Sequence, residues 1–359
     1  MALATACGDQ PARTAAGALA DTLLTAGPQH AILAAESLPG WVLRQRVLAM
    51  PAESRPMSIS VAGPPFCVAV VNDPGTRSIG WYSTSGNLLD TLPYSRWASD
   101  AQPLAVLALA DSGLLLTFAG SASPVIVGRN GRSRSITLAD RPPGVDGSLW
   151  VRAADGTLVE FWAGATHLAD ASDWPASLPL AFSYRGDLTR GEAVGSVPEH
   201  QHAIARPLLA RGVPLLWRDT VFYASRGFAT MVPVYPPGPD TLHLPVRYRG
   251  AALLGRGIAA DEAHVPDHLS GVAALDDSLV LVVLPASDVP RSEAAANELI
   301  TVINRDQVAI AHLVNADGAP VRLTSLRSDA GLIGGISLDP EGRPRGVTLL
   351  AMPDNGCPL

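Results

Sequence analysis

Short apolar runs alternate with turn-forming residues along most of the chain after residue 40. The run FCVAVVN (66–72) is followed by the turn DPG, the run RSIGWYS, the turn TSGN and the run LLDTLPY. Runs of this length, rich in β-branched and aromatic residues and bounded by Gly, Pro, Asn or Asp, are typical of strands. The pattern therefore predicts a meander of antiparallel strands in this region.

Similar strand–turn–strand patterns follow further along the chain. LAVLALADSGLLLTFAG and DGSLWVRAADGTLVEFWAG are the next two copies, and three more follow, the last of them truncated. Asn130–Gly131 and Asp155–Gly156 are dipeptides that favour tight hairpins. Comparable strands in the first three copies recur at roughly 40 residues, a period typical of β-propeller blades. We predict an all-β fold, a β-propeller, because neighbouring blades cover the faces that one meander leaves exposed; two β-sandwiches are the alternative.

The last copy lacks a strand, and a candidate for it lies at the other end of the chain. The segment WVLRQRVLA (41–49) could pair into the C-terminal blade, which would close the ring and remove two exposed sheet edges. We therefore expect six blades within residues 41–359, closed by this N-terminal strand.

The copies VAVVNDPGTRSIGWYSTSGNLLDTL and LWVRAADGTLVEFW resemble divergent NHL-type blades. Residues 41–352 as a whole are similar to bacterial six-bladed β-propeller proteins, many of which are exported or lipid-anchored. The resemblance implies a fold and a compartment more than an activity.

The opening stretch LATAC-GDQ bears on the compartment. Small residues precede Cys7, and the chain then becomes polar, as in a bacterial lipobox; the basic and apolar part of such a signal would lie upstream. We expect a lipid on Cys7, a flexible or weakly helical tether within residues 1–40, and a location in the cell envelope or periplasm. The alternative is an ordinary N-terminus with a chance cysteine.

The net charge of the chain limits the classes of partner that it can bind. The formal net charge is −7, and all 26 basic residues are arginines that are scattered along the sequence. Nucleic-acid binding needs a clustered positive surface, so this partner class is excluded. The sequence contains no apolar run of about 18 residues, the length that would predict a membrane-spanning segment. The only membrane contact expected is therefore through the lipid anchor.

Two clusters contain residue types that bind metals. In EHQH the two imidazoles lie two residues apart, on one face if the segment is a strand; HVPDH offers a second set. Neither cluster has the spacing of a closed zinc site, and histidines in such Pro- and Gly-flanked inserts are usually solvated. The weak metal candidates are Glu199, His200, His202, His264, Asp267 and His268.

Two tryptophans and two cysteines complete the candidate site residues. Trp97 and Trp174 lie in predicted loops between strands and could face a ligand. Cys67 and Cys357 could form a disulfide in an exported protein; the alternative is a buried thiol at Cys67 and a frayed end at Cys357. No catalytic and no cofactor-binding residue is predicted.

Three functions remain compatible with these observations. The first is a non-catalytic exported propeller that binds a protein partner or an extracellular small molecule through its top face or central channel. The second is a metal-dependent propeller enzyme of the lactonase or sugar-dehydrogenase kind, with Ca²⁺ or Zn²⁺ as its metal. The third is a structural scaffold of the cell envelope.

Overall fold

The structure of the chain is a computed structural model. The structure describes residues 30–34, 42–96, 103–109, 113–118, 123–128, 132–138, 148–162, 179–186, 188, 190–196, 212–225, 230–238, 242–243, 271–275, 280–284, 299–304, 307–315, 317–319, 321–339 and 341–359.

Regular structure in these residues consists of β-strands and one 3₁₀ turn, Tyr94–Arg96. Sixteen strands form four sheets of four antiparallel strands each. The strands of the first sheet are β3 (Ser58–Ala62), β4 (Val68–Asp73), β5 (Ser78–Ser83) and β6 (Leu88–Pro93). Those of the second are β7 (Pro103–Ala108), β8 (Leu114–Phe118), β9 (Val125–Val127) and β10 (Ser133–Ser135). Those of the third are β11 (Ser148–Arg152), β12 (Leu158–Trp162), β13 (Pro179–Tyr184) and β14 (Gly191–Ser196). Those of the fourth are β15 (Gly212–Trp217), β16 (Thr220–Ser225), β17 (Thr230–Tyr235) and β18 (Leu242–His243).

The remaining strands form one sheet of nine, in the order β19-β20-β21-β22-β1-β2-β25-β24-β23. Its N-terminal members are β1 (His30–Ala34) and β2 (Val42–Val47). The others are β19 (Gly271–Ala274), β20 (Val280–Leu284), β21 (Leu299–Asn304), β22 (Gln307–Asn315), β23 (Leu323–Asp329), β24 (Leu332–Leu338) and β25 (Pro344–Ala351).

The first strands of successive meanders contact one another around a centre. Strand β3 contacts β7, β7 contacts β11, β11 contacts β15, β15 contacts β19, β19 contacts β23, and β23 contacts β3. The sheets therefore radiate from a common centre, which is a propeller arrangement. The prediction of an all-β propeller is confirmed.

Burial on both faces explains why β4 begins with four apolar residues in a row. Ala69 and Val71 pack in a cluster with residues of β24 and β25, whereas Val70, between them in sequence, packs against residues of β7 and β8. Successive side chains of a strand point to opposite faces, so the first sheet is covered by other strands on both of its faces. The run VAVV at the start of β4 meets this demand because every one of its positions is apolar.

The strand β2 lies inside the predicted segment 41–49. It pairs antiparallel with β25, with Arg44 opposite Ala351 and Val47 opposite Thr348. Strand β1 lies within 1–40, where the sequence predicts a tether; residues 30–34 instead pair with both β2 and β22. Because β1 joins two outer strands through backbone hydrogen bonds, its pairing depends little on the hydrophobic periodicity that sequence analysis uses.

Candidate functional site

The first strands surround a narrow central channel. Its cavity of about 40 Å³ is lined by residues of β3, β7, β11, β15 and β23. Two serines join neighbouring strands: the Ala108 N–H donates to Ser60 Oγ at 3.0 Å, and the Ala274 N–H donates to Ser328 Oγ at 2.8 Å. A cavity of this size accommodates a few water molecules.

At one end the channel adjoins a much larger cleft of about 540 Å³, and both are lined by Leu216 and Asp329. Four separate segments build the cleft: the β15–β16 turn, the end of β19, the β23–β24 turn and the C-terminal tail after β25. We call this end of the ring the turn face, and we call residues 352–359 the tail.

Two tight hairpins form opposing parts of the cleft wall. Arg218 and Asp219 are the two loop residues between the paired Trp217 and Thr220, and both have positive φ, 49° and 60°. Ala330 and Gly331 have the same role between β23 and β24, with φ of 45° and 74°. Such turns normally use Asn-Gly because positive φ is costly for other residues. Backbone strain of this kind is concentrated at functional sites.

The cleft combines an apolar floor with a polar rim. Leu216, Leu275 and Met352 contribute apolar surface. The guanidinium of Arg218 lies 4.6 Å from the centre of the Trp217 ring, within the range of a cation–π contact. The other polar residues of the rim are Asp219, Asp329, Asp354 and Asn355. The described lining of the cleft therefore contains three carboxylates and one guanidinium.

Asp329 connects the cleft with the channel and with the first sheet. Its Oδ2 accepts a hydrogen bond from the Gly63 N–H at 2.9 Å and lies 3.9 Å from Nη2 of Arg152 across the channel. A Cβ on Gly63 would stand 2.6 Å from the Asp329 carbonyl oxygen, so only glycine allows this close approach. The β3–β4 turn thereby fixes the position of the β23–β24 hairpin.

The tail forms the fourth wall and is covalently attached to the first sheet. Met352, Pro353, Asp354 and Asn355 line the cleft, and Cys357 forms a disulfide with Cys67 of the β3–β4 turn, with Cα atoms 5.4 Å apart. Thr84 Oγ1 donates a hydrogen bond to the Pro358 carbonyl oxygen at 2.7 Å. The Cys357 side chain is buried in the core cluster between β4 and β25.

A second polar cluster joins the third and fourth sheets. Tyr235 Oη donates to Asp155 Oδ2 at 2.8 Å and accepts from Nη2 of Arg185 at 2.7 Å; Thr157 Oγ1 lies 3.1 Å away. The Thr157 N–H, which donates to Asp155 Oδ1 at 2.9 Å, is the main cause that holds the pKa of Asp155 below its ordinary value. The hydrogen bond to Tyr235 raises the pKa of Arg185 further, so the guanidinium stays charged.

Of the candidate site residues predicted from the sequence, only the two cysteines of the predicted disulfide lie in the described part of the chain. The lipidation candidate, the aromatic candidates and the metal candidates lie outside it: Cys7, Trp97, Trp174, Glu199, His200, His202, His264, Asp267 and His268. Within the described ranges, no three His, Cys, Asp or Glu side chains are grouped so that they could hold a metal ion. No helix in those ranges has the length and hydropathy needed to cross a membrane.

Sequence reasoning did not find the residues of the cleft. Trp217 has the pattern of a core residue and is indeed buried, but it also lines the cleft. The sequence does contain one signal for this part of the cleft, the dipeptide Arg218–Asp219 between two apolar strands. A two-residue hairpin loop without Asn or Gly is unusual. Nothing in the sequence pattern shows that this turn, the β23–β24 turn and the tail meet.

Comparison with known proteins extends the description of the fold. No family model matches the chain, and no curated protein sequence matches it. Among solved structures, a Bacteroides fragilis protein, whose assignment as exported is provisional, has a TM-score of 0.52 at 8% identity and covers 86% of this chain and 94% of its own.

Two enzymes are similarly related in structure. A gluconolactonase from Xanthomonas campestris has a TM-score of 0.51 at 12% identity, covering 87% of this chain and 90% of its own. A catalytically inactive virginiamycin B lyase from Staphylococcus aureus, with quinupristin, has a TM-score of 0.50 at 7% identity, covering 86% and 99%. Identities this low establish shared architecture and not shared chemistry. Together with the ring of contacting first strands, these similarities show that the chain has the β-propeller fold.

Proposed function

We propose that this protein is an exported, non-catalytic six-bladed β-propeller that binds a small organic ligand in the cleft of its turn face. The observation that carries the proposal is the cleft itself, in which four segments distant in sequence enclose about 540 Å³. Small-molecule sites in proteins have volumes of about 300–1,000 Å³, with an apolar lining and a few polar groups that orient the ligand.

The support for six blades is the way in which the nine-stranded sheet can be divided into two meanders. Strands β19–β22 form one meander, and β23–β25 with β2 form a second, so the six first strands that contact one another would each begin a blade. In this interpretation β2 is the closing strand of the last blade, and β1 bridges it to the outer strand of the blade before. Three of the four cleft segments belong to the last two blades and the tail. Closure of the ring would hold these segments in place, and in this way it supports the binding proposal.

The charge of the cleft suggests the kind of ligand to test first. In the described lining, Asp219 and Asp354 outnumber Arg218, and the third carboxylate, that of Asp329, lies 3.9 Å from the Arg152 guanidinium. A concave surface with an excess of one charge concentrates ligands of the opposite charge. Organic cations are therefore the first class to screen, with neutral sugars and organic anions as the comparison classes.

A thermal-shift screen, followed by calorimetry on the compounds that raise Tm, tests the proposal. We expect at least one organic cation to raise Tm by several degrees. At a ligand concentration about 100 times its Kd, the stabilisation is about 2.7 kcal/mol. The decisive variant is Arg218→Asn with Asp219→Gly, which suits the hairpin's positive φ but removes two polar groups of the cleft. Binding should fall at least tenfold while Tm stays equal or rises.

A second variant blocks the volume of the cleft. Asp354→Trp places a large side chain at an exposed position of the rim, and Glu341→Trp makes the same change at an exposed position outside the cleft. The first variant should abolish binding, and the second should not affect it. A ligand that binds both variants as it binds the parent protein would contradict the location of the site.

Calcium and zinc chloride belong in the same screen because the metal-dependent enzyme is the alternative function. A metal-specific rise in Tm that is lost in His200→Ala or His264→Ala would favour this alternative over the non-catalytic proposal. A screen in which no compound and no metal changes Tm would favour the scaffold function instead.

Export and lipid anchoring are part of the proposal. The support is the lipobox-like LATAC-GDQ and the provisional export assignment of one structural neighbour. Expression from the native upstream region with a labelled fatty acid should label the protein, and Cys7→Ser should abolish the label. A labelled Cys7→Ser variant would show that Cys7 is not the site of lipidation.

A further inference from the structure

The tail has a double role in the structure. Its first half, Met352 to Asn355, lines the cleft, and its second half contains Cys357, which is bonded to Cys67. Only one residue separates Asn355 from Cys357, and the two are also joined directly, because the Cys357 N–H donates to Asn355 Oδ1 at 3.1 Å. The position of the disulfide and the position of the cleft wall are therefore linked over a very short stretch of chain.

The described tail is attached to the first sheet by the disulfide and by a set of non-covalent contacts. Beyond the end of β25 at Ala351, the Asn355 N–H bonds within the tail, to the Met352 carbonyl oxygen at 3.2 Å. Contacts of the described tail with the first sheet include the disulfide, the Thr84–Pro358 hydrogen bond, the burial of Cys357 and Leu359 in the core cluster, and the approach of Gly356 to Pro64. One neutral hydrogen bond contributes about 1 kcal/mol. The non-covalent contacts can open and reform, whereas the disulfide holds the tail until it is reduced.

The neighbouring wall of the cleft, the β23–β24 hairpin, also depends on the position of the tail. A Cβ on Gly331 would lie 3.6 Å from the Asn355 Cβ, which places the β23–β24 hairpin against the tail. A tail that moves away would open the cleft toward solvent on this side. It would also remove Asp354, one of the three carboxylates.

We infer that the Cys67–Cys357 disulfide is a redox-controlled latch on the ligand cleft. With the bond intact, the tail completes the cleft; with the bond reduced, the tail detaches and the cleft loses one wall. The inference rests on the proposed binding function for its consequence, but the movement of the tail is testable without a ligand.

The chemistry of the switch is thiol–disulfide exchange with a dithiol reductant. A thiolate of the reductant attacks the sulfur of Cys67, which is only partly buried, and releases Cys357 as the leaving thiolate. The second thiol of the reductant then displaces Cys67. In all, the protein takes up two electrons and two protons, which convert its disulfide into two thiols, and the dithiol reductant is oxidised to a disulfide.

Hydrogen–deuterium exchange of the full chain measures the latch directly. The oxidised protein is compared with protein that was reduced by dithiothreitol under native conditions and alkylated. We expect the amides of Asn355 and Cys357 to exchange at least tenfold faster after reduction, with a smaller increase at residues 330–331. Strands β4 and β12 should be unaffected. Equal exchange of the tail in both states overturns the latch.

Two variants separate the covalent bond from the other contacts of the tail. Cys67→Ser with Cys357→Ser should reproduce the reduced state without a reductant, whereas Thr84→Val in oxidised protein should change tail exchange only slightly. If Thr84→Val releases the tail as fully as reduction does, the disulfide is not the latch. Loss of the far-UV β spectrum on reduction also overturns the inference, because the bond would then be needed for the whole fold.

Ligand measurements then test the link to binding. Any compound identified in the screen should bind the reduced protein at least tenfold more weakly than the oxidised protein. Equal affinity in both states, together with a released tail, refutes control of the cleft but leaves the binding function intact. If no compound binds in either state, the proposed function fails, and exchange at residues 330–331 alone decides whether the tail and the cleft wall move together.

Discussion

The hydroxyl of Tyr235 lies 2.8 Å from Oδ2 of Asp155, although the two residues belong to adjacent sheets. Tyr235 ends the third strand of the fourth sheet, and Asp155 lies in the first turn of the third sheet. The bond and its neighbours Arg185 and Thr157 therefore connect two sheets that share no backbone ladder. Contacts of this kind, and not only apolar packing, fix the angle between neighbouring sheets.

Tyr235→Phe should destabilise the protein by about 1–3 kcal/mol. The substitution keeps the ring in place but removes the hydroxyl that lies 3.1 Å from the buried Thr157 hydroxyl and donates to Asp155. Urea unfolding measures the loss. Ser135→Ala, which removes an exposed hydroxyl from β10, is the matched control and should change stability by less than about 0.5 kcal/mol. An equal effect of the two variants would contradict a structural role for the cluster.

Asp155 should make the stability of the protein depend on pH on the acid side. Because the pKa of Asp155 is lowered in the folded state, the carboxylate stabilises the fold above its unfolded pKa, and this stabilisation is lost as the pH falls through the folded pKa. Asp155→Asn should therefore be less stable than the parent at pH 7, and the difference should shrink below about pH 4. Urea unfolding at pH 7, 5, 4 and 3 measures it, with Glu341→Gln as control. A difference that is constant over this range would contradict the linkage.

Leu43→Ala tests the contribution of β2 to the ring. Leu43 is completely buried, so its truncation should cost about 2–5 kcal/mol through lost packing and the cavity left behind. Val47 lies on the same strand and is 58% exposed, so Val47→Ala should cost less than about 0.5 kcal/mol. Thermal unfolding of both variants gives the comparison. If both substitutions are equally mild, β2 is a peripheral strand and not part of the core.

Gly63→Ala tests the contact between the β3–β4 turn and the β23–β24 hairpin. The new Cβ would stand 2.6 Å from the Asp329 carbonyl oxygen and 2.8 Å from the Ala330 Cβ, so the turn would have to move, at a cost of about 1–3 kcal/mol. Gly346→Ala is the control, since a Cβ there meets no atom within 4 Å. The control should be neutral or stabilising by up to about 1 kcal/mol. A tolerated Gly63→Ala would show that the two turns are less closely packed.

The sequence predicts strands most readily where the apolar run is continuous. FCVAVVN and LVLVVLP overlap β4 and β20, and the apolar side chains of β4 are buried on both faces of its sheet. Strand β3, SISVA, alternates with serine, and its Ser60 hydroxyl bonds the backbone of β7 instead of facing solvent. Strand β18 has only two residues, which is too few for any periodicity.

The cleft is not readable from the sequence for a different reason. Its walls come from segments as far apart as Trp217 and Asn355, and their proximity depends on the angular position of each sheet in the ring. Periodicity reports which face of a strand is buried and contains no information about that position. The pairing of Cys67 with Cys357 was accessible as an expectation only because ring closure brings the first and last meanders together.

The last prediction concerns this disulfide in solution. In the structure the bond joins residues 290 apart in sequence, across the point where the C-terminal strands meet the first sheet. Closing so long a loop restricts the unfolded chain, and the chain-entropy relation gives about 5 kcal/mol as an upper figure for the stabilisation. Reduced protein should therefore unfold at a lower urea concentration than oxidised protein.

Alkylation of denatured protein that was purified from an oxidising compartment should leave Cys67 and Cys357 unmodified, and both should react after reduction; peptide mapping distinguishes them from Cys7. The Cys67→Ser variant supplies the matched control, because its Cys357 should then react without reduction. Two freely reacting thiols in the unreduced parent protein would show that the bond does not form, and the latch on the cleft would be excluded with it.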